Sequence, residues 1–274
     1  MRSKIPEYLK EDIGPGDITS ELVIPPDQTA RGRIVCKEPC TLAGVAEAAE
    51  VFFELGAKAV MKKNDGAKAK KGDVVLEVTG NARALLAGER LALNMIMRMS
   101  GIATLTSELV KRCRRINPKV RVAATRKTTP GFREYEKKAV QLGGGDPHRM
   151  GLYDAILIKN NHIRLAGGVE QALIRAKTGC STKKVEIEVE TAQDARTALK
   201  HGADIIMLDN FKPTDAKKLA KELKKARPGV LIEVSGGIRP DNIEKYASAG
   251  DIISLGWLTH SYRSIDFSMR IERM

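Results

Sequence analysis

Apolar and polar positions divide this chain into two regimes. Over the first hundred residues the pattern is mixed. Arg31 to Cys36 alternates with the period of two that marks a half-buried strand. Val45 to Leu55 carries apolar residues at helical spacing, and Gly56 follows where a helix ends in a left-handed residue. Gly72-Asp73 is a turn leading into a strand through Val78, and Gly14-Pro15-Gly16-Asp17 is another turn. Asn81 to Met99 reads as a strong helix with Leu85, Leu86, Leu91, Leu93, Ile96 and Met97 among its apolar residues. Arg90 and Arg98 lie two turns apart on it and point roughly the same way. A second helix, about 102–115, is expected after Ser100-Gly101, a pair that suits a hinge between domains.

From residue 120 short apolar runs alternate with helical segments. The predicted strands are Val120–Ala124, Ala155–Ile158, Val185–Glu188, Ile205–Leu208, Leu231–Val234 and Ile252–Leu255. The predicted helices are 134–142, 168–177, 192–201, 214–226 and 240–248. Thr191 to Asp194 has capping-box spacing, and Pro213 and Pro240 suit first-turn positions. Such alternation argues a parallel sheet covered by helices. Six units are fewer than the eight of a closed barrel, so a smaller or partly open barrel competes with a doubly wound sheet. The strand ends favour the barrel: Arg126-Lys127, Lys159, Glu188, Asp209, Ser235-Gly236-Gly237 and Gly256. A barrel gathers all of its C-terminal strand ends at one mouth, whereas a doubly wound sheet gathers two or three at its switch point. The expected fold is therefore a six- or seven-stranded α/β barrel, TIM-like but incomplete, at 103–260. An α+β N-terminal sandwich domain occupies 1–102, and the tail 261–274, with Phe267, Met269 and Ile271 alternating, is expected to return to it.

Composition narrows the function. Hydrophobic residues at 42% and charged residues at 30% describe a globular protein, and no apolar run approaches the ~20 residues of a membrane span. The opening MRSKIPEYLKED lacks the apolar core of a secretory signal, so a cytoplasmic address and no membrane partner are expected. Cys36 and Cys40 are spaced C-x3-C without a second pair. Reduced, mostly buried thiols therefore fit better than structural zinc, and no function attaches to the pair. The net charge of +13 admits a nucleic acid, an anionic substrate or a charge-rich, heat-adapted surface. Aromatic residues are only 4% and do not interleave with basic runs, which argues against stacking platforms for bases. The lysines at 217, 218, 221, 224 and 225 read as a solvated helix face.

The cations between residues 121 and 163 are different. Arg126, Lys127, Arg133, His148, Arg149, Lys159 and His162 crowd a stretch interrupted by glycines. A core segment has no use for them, but a buried, multiply charged anion does; the alternative is a solvated basic loop. Glu188 and Asp209, on neighbouring strands, suit a Mg²⁺ ion or a developing positive centre, the alternative being salt bridges to Lys127 and Lys159. Glu186 and Glu190 share the strand face of Glu188, so pattern alone does not choose among the three. Ser235-Gly236-Gly237 and Gly256 follow late strands, where glycine lets backbone N–H groups approach a phosphate.

The run Thr125-Arg126-Lys127-Thr128-Thr129-Pro130-Gly131 resembles the signature of the quinolinate phosphoribosyltransferases. So do Glu136-Lys137, Gly143-Gly144-Gly145, His148-Arg149, Lys159-Asn160-Asn161-His162, Leu208-Asp209-Asn210-Phe211 and Ser235-Gly236-Gly237-Ile238. The likeness runs from Gly14-Pro15-Gly16-Asp17 through Glu89-Arg90-Leu91-Ala92-Leu93-Asn94 to Gly256-Trp257-Leu258-Thr259, essentially the whole chain. The resemblance implies transfer of phosphoribose from phosphoribosyl pyrophosphate to quinolinate with loss of CO2, giving nicotinate mononucleotide and pyrophosphate for NAD biosynthesis. It also implies that Arg126, His148, Arg149 and Lys159 surround the quinolinate carboxylates and that Thr125, in the same run, binds substrate. Arg90 joins them from the partner of a homodimer, and two such dimers could assemble further. Lys127, Lys159, Glu188 and Asp209 line the ribose and pyrophosphate with Mg²⁺, bound to the carboxylates directly or through water. Ser235, Gly236, Gly237 and Gly256 hold the 5′-phosphate. The paired-acid loop of most phosphoribosyltransferases is absent here, as it is from this family. Two rivals stand beside this reading: a paralogous pyrophosphorylase with another substrate, and a basic nucleic-acid binder. Retention of all five proposed carboxylate contacts argues against the first, and charge alone does not fix a partner for the second.

Overall fold

In the computed structural model, which describes residues 4–274, one unit runs to Leu105 and takes in Tyr262–Met274. The other spans Thr106–Ser261.

The first unit begins with helices α1 (Ile5–Ile13) and α2 (Ile18–Val23). Asp17 caps α2 by accepting the Ser20 N–H at 3.1 Å, the capping role that suits an aspartate after a glycine turn. Strand β1 (Thr29–Cys36) buries Ala30, Gly32, Ile34 and Cys36, the inward half of its alternation. Strand β2 (Cys40–Thr41) leads to α3 (Val45–Glu54), after which Gly56 takes the positive φ expected of it. Strands β3 (Lys58–Met61), β4 (Lys68–Ala69) and β5 (Val74–Asn81) precede the long helix α4 (Ala82–Ile116). β2 pairs with β4, and β5 sits between β1 and β3.

Helix α4 corrects the expected hinge. It runs 35 residues without a break through Ser100-Gly101. These small residues admit close neighbours. The Ser100 hydroxyl bonds both the N–H and the carbonyl of Ala43, at 3.1 and 3.0 Å. A Cβ on Gly101 would lie 2.3 Å from the Arg263 carbonyl oxygen. Glycine stands there because backbone approaches backbone, which a sequence shows in the same way as it shows a hinge.

The second unit alternates strand and helix. β6 (Arg121–Ala123), α5 (Arg133–Leu142), β7 (Ile156–Ile158), α6 (Asn160–Ala166) and α7 (Val169–Gly179) come first. β8 (Val185–Val189), α8 (Ala192–Lys200), β9 (Ile205–Asp209), α9 (Pro213–Ala226) and β10 (Leu231–Ser235) follow. A 3-10 turn at Ile243–Tyr246, β11 (Ile252–Ser254) and α10 (Trp257–His260) complete it. Every predicted strand is present. Helix α9 shows why the pattern was readable: Ala216, Leu219, Ala220 and Leu223 face inward at helical spacing while Lys217, Lys218, Lys221 and Lys225 are exposed.

Two helical expectations change. Over 240–248 only the single 3-10 turn forms, because Asn242 folds the segment around its own side chain. Its amide donates to the Gly237 carbonyl at 3.0 Å, and its Oδ1 accepts the Arg239 N–H at 2.8 Å. Helix α6, not anticipated, starts directly after β7.

The six strands form one parallel sheet in the order β6-β11-β10-β9-β8-β7. The first strand, β6, pairs with the last, β11, and the two ends of the sheet are β6 and β7, consecutive in sequence, the arrangement of a barrel left partly open. Asp146 adds a single parallel bridge to Ala123 beyond β6. The tail forms β12 (Phe267–Arg273), antiparallel to β1 with Ile34 opposite Met269. Among the described residues all four cysteines are free, with Cys36, Cys40 and Cys113 buried. No helix among the described residues is long and apolar enough to cross a membrane.

Candidate active site

Parallel strands place all their C-terminal ends on one rim, and the residues following them line a cavity of about 720 Å³ in the second unit. Around the rim the strand order sets the chemistry. β6 delivers Thr125, Arg126 and Lys127, and the neighbouring β11 delivers Gly256. β10 gives Ser235, Gly236 and Gly237, β9 gives Asp209, β8 gives Glu188 and β7 gives Lys159. His148 and Arg149 reach the same cavity from the loop after α5. Cations therefore flank two glycine turns and two adjacent carboxylates.

The turns are built to leave space. Gly236 and Gly237 both have positive φ, and a Cβ on Gly236 would lie 2.3 Å from the Asn210 side-chain oxygen. Asn210, itself left-handed, donates its N–H to the Ser235 carbonyl at 2.9 Å, joining the ends of β9 and β10. A Cβ on Gly256 would sit 2.8 Å from the Lys127 side chain, so glycine there lets the lysine pass. The Thr125 hydroxyl accepts the Lys127 N–H at 3.1 Å, and Thr259 donates to the Lys127 carbonyl at 2.7 Å, which fixes the course of the loop.

The two acids differ in their settings. Glu188 is ion-paired with Lys159, one of the alternatives open from sequence. Burial, and then the charge of Glu188, raise the carboxyl of Asp209 above the usual range, against the lowering influence of Lys159 and Lys127. Asn210 binds Oδ2 of Asp209 at 2.6 Å, and Lys159 holds Oε2 of Glu188. Each carboxylate keeps a second oxygen. Two hard oxygen donors on neighbouring strands fit Mg²⁺, which takes one or two carboxylates and completes its shell with water and substrate phosphate. Of the other acids on or just after β8, Glu190 is exposed and accepts from Asn160 at 3.2 Å, while Glu186 is buried.

Beneath the rim lies a cluster that sequence reasoning missed. His148 Nε2 is 3.2 Å from Glu233 Oε2 and 3.6 Å from Glu186 Oε2. Glu233 is 0% and Glu186 3% exposed. Burial opposes a charged imidazole, but the hydrogen bond and charge of Glu233, then the charges of Glu186 and Asp146, outweigh it and raise the His148 pKa. Burial and the neighbouring Glu233 push Glu186 up to about 8, against His148, Arg149 and Lys159. Burial, then the charge of Arg126, lower the pKa of Arg149. The sequence signal for Glu233 was a lone acid inside the apolar run Leu231–Ser235, since a carboxylate is not buried without a partner. Arg239, Trp257 and His260 also line the cavity and were not singled out.

Three expected cations are elsewhere. His162 accepts the Lys159 N–H at 3.0 Å on its Nδ1 and so caps α6; it does not line the cavity. Arg133 braces loops instead, donating to the Thr128 hydroxyl at 2.9 Å and the Met150 carbonyl at 3.0 Å. Arg90 is exposed on α4 in the first unit and is not part of the lining.

Known proteins resemble the chain over its whole length. The family profile described as the N-terminal domain of quinolinate phosphoribosyl transferase matches residues 17–100, and that of the C-terminal domain matches 102–270. A probable carboxylating nicotinate-nucleotide pyrophosphorylase of Archaeoglobus fulgidus is 47% identical, over 93% of this chain and 98% of that protein. The human carboxylating nicotinate-nucleotide pyrophosphorylase is 39% identical, over 99% and 91%. The solved structure of the nicotinate-nucleotide pyrophosphorylase from Francisella tularensis superposes with a TM-score of 0.91 at 39% identity, covering 98% of this chain and 94% of that one.

Proposed function

The chain belongs to the quinolinate phosphoribosyltransferase family, and on that premise we propose how its barrel mouth joins quinolinate to phosphoribosyl pyrophosphate. The products are nicotinate mononucleotide, pyrophosphate and CO2. One observation carries the assignment of the site: five lysine and arginine side chains, three carboxylates and two glycine turns line a single cavity.

Arg126, His148, Arg149 and Lys159 face the two quinolinate carboxylates, arginine offering the bidentate grip that a carboxylate matches, and Thr125 shapes the loop that carries Arg126. Ser235, Gly236, Gly237 and Gly256 take the 5′-phosphate through backbone N–H groups that no side chain obstructs. The quinolinate ring nitrogen attacks C1 of the ribose, and the C1–O bond to pyrophosphate breaks with its electron pair on the leaving oxygen. Glu188 and Asp209 stabilise the positive charge developing at C1, and Lys127 and Lys159 offset the charge of the departing group. A Mg²⁺ ion held by Glu188 and Asp209, directly or through water, would supply further charge stabilisation to the pyrophosphate. The carboxylate beside the quaternised nitrogen then leaves as CO2. Its electron pair stays on the ring carbon, which takes up a proton.

Arg90 completes the proposal. Exposed in the first unit, it is assigned to the cavity of a partner subunit in a two-fold homodimer, where each copy lends it to the other. A cytoplasmic address belongs to the same proposal.

The test is turnover. Protein mixed with quinolinate, phosphoribosyl pyrophosphate and Mg²⁺ is expected to form nicotinate mononucleotide, and nicotinate in place of quinolinate is expected to give none. Product from nicotinate, or from neither acid in folded protein, would move the assignment to a paralogous reaction and remove the carboxylate roles.

A further inference from the structure

Lys137 is 1% exposed, on the inward face of α5. A fully buried ammonium is costly unless paired, and among the described residues no carboxylate lies within ion-pairing distance of it. Its partners are two main-chain carbonyls, that of Pro147 and, at 2.6 Å, that of Arg149. These two peptides bracket His148, which is one of two non-glycine residues at positive φ among those described, at +53°. Arg133 precedes Lys137 by one turn on the same helix face and donates to the next carbonyl, that of Met150. The Asp146 carboxylate, for its part, accepts the His148 N–H at 2.7 Å. Helix α5 thus holds the loop by three carbonyl contacts, and the two side chains at its crest, His148 and Arg149, both enter the cavity.

We propose that Lys137 is a positioning residue for the acceptor substrate: its ammonium ties the Pro147 and Arg149 carbonyls to α5 and so holds His148 and Arg149 in the orientation that receives a carboxylate. The inference rests on the proposed reaction. Apolar packing would fill this helix position at lower cost, and the strained backbone of His148 persists only where surroundings over-determine it. Burial, and next the charge of Arg133, push the Lys137 ammonium down to about 8, so at neutral pH it keeps its charge at a cost to folding. The groups facing it are Arg133 on its own helix and Asp146, Arg149 and Asp154 on the loop.

The test separates acceptor from donor. In Lys137→Met the KM for quinolinate should rise by about tenfold, a loss of one carboxylate contact's worth of alignment, while the KM for phosphoribosyl pyrophosphate stays within about twofold. Lys137→Gln, which keeps an N–H donor in a shorter side chain, should lie between wild type and Lys137→Met, and it decides the matter if the methionine variant does not fold. Trp257, the sole tryptophan, lines the cavity, so its fluorescence reads quinolinate binding without turnover. By that readout Lys137→Met should add nothing to a chain already carrying His148→Ala and Arg149→Ala, because a positioning residue acts through the groups it holds. Equal effects on both substrates, or a further loss of binding in the doubly substituted chain, would overturn the proposal. Wild-type protein that binds and turns over no quinolinate would instead overturn the proposed reaction.

Discussion

His148 shows how much of the site is decided one residue at a time. Its ring is held by two buried carboxylates and its backbone by Lys137 and Asp146, so its charge and direction are set by the protein groups packed around it. In Glu233→Gln one of the two charges is removed with volume nearly kept. The His148 titration followed by NMR of its ring protons should then move down toward the ordinary histidine value; an unchanged titration would show that Glu233 does not raise it. Lys137 gives a pH dependence of opposite origin. Its folded pKa lies below the unfolded one, so the unfolded chain binds the extra proton between them, and stability rises with pH over that interval. Relative to Lys137→Met, wild type should gain stability as the pH climbs from about 8 toward the usual lysine range, and should lose it on falling through about 8. Denaturation curves of the two proteins at several pH values check this, and parallel profiles would contradict it. Individual positions were legible where a residue sits at a strand end, as for Lys159, Glu188 and Asp209, all of which line the cavity. They were not legible where a common residue type did an uncommon job. His162 reads as one more cation beside Lys159, yet its ring serves a helix end.

At the scale of elements, the strands were readable because each is an apolar run bounded by polar residues, and their parallel pairing brings the chemistry to one rim whatever the loops do. Helix α4 was misread for an equally physical reason. Ser100-Gly101 has the composition of a joint, and the contact that requires it comes from Arg263, more than 160 positions away and invisible to local pattern. The two interpretations predict opposite signs. In a flexible hinge Gly101→Ala should stabilise the protein by about 0.4–1 kcal/mol by reducing the freedom of the unfolded chain. Because the new methyl would meet the Arg263 carbonyl, the structure predicts a net destabilisation of about 1–3 kcal/mol instead, measured by urea denaturation. The turn around Asn242 is a similar case: a helical pattern over 240–248 gives way to side-chain bonds that capture the backbone first.

For the whole molecule the central question is how one mouth serves two anionic substrates. The barrel supplies the cations that line the cavity, and Arg90 is the one that the proposal draws from a partner. If that residue comes from a partner, Arg90→Ala and Lys127→Ala should each abolish turnover, yet a hybrid of the two holds one site with neither defect. A randomly reassorted mixture should recover about a quarter of wild-type activity, since half the dimers are hybrids and each has one intact site of two. Verified hybrids without recovery would remove Arg90 from the site. Nothing in the local sequence around Arg90 marks it as functional, because its neighbours form an ordinary amphipathic helix; only the family resemblance pointed to it.

Carboxyl-labelled quinolinate offers the most direct measurement of the central claim, that this mouth couples phosphoribosyl transfer to decarboxylation. With label on the carboxylate beside the ring nitrogen, CO2 release should require phosphoribosyl pyrophosphate and match nicotinate mononucleotide and pyrophosphate one for one. Release of label without phosphoribosyl pyrophosphate, or its consumption with the label retained in the product, would contradict the account.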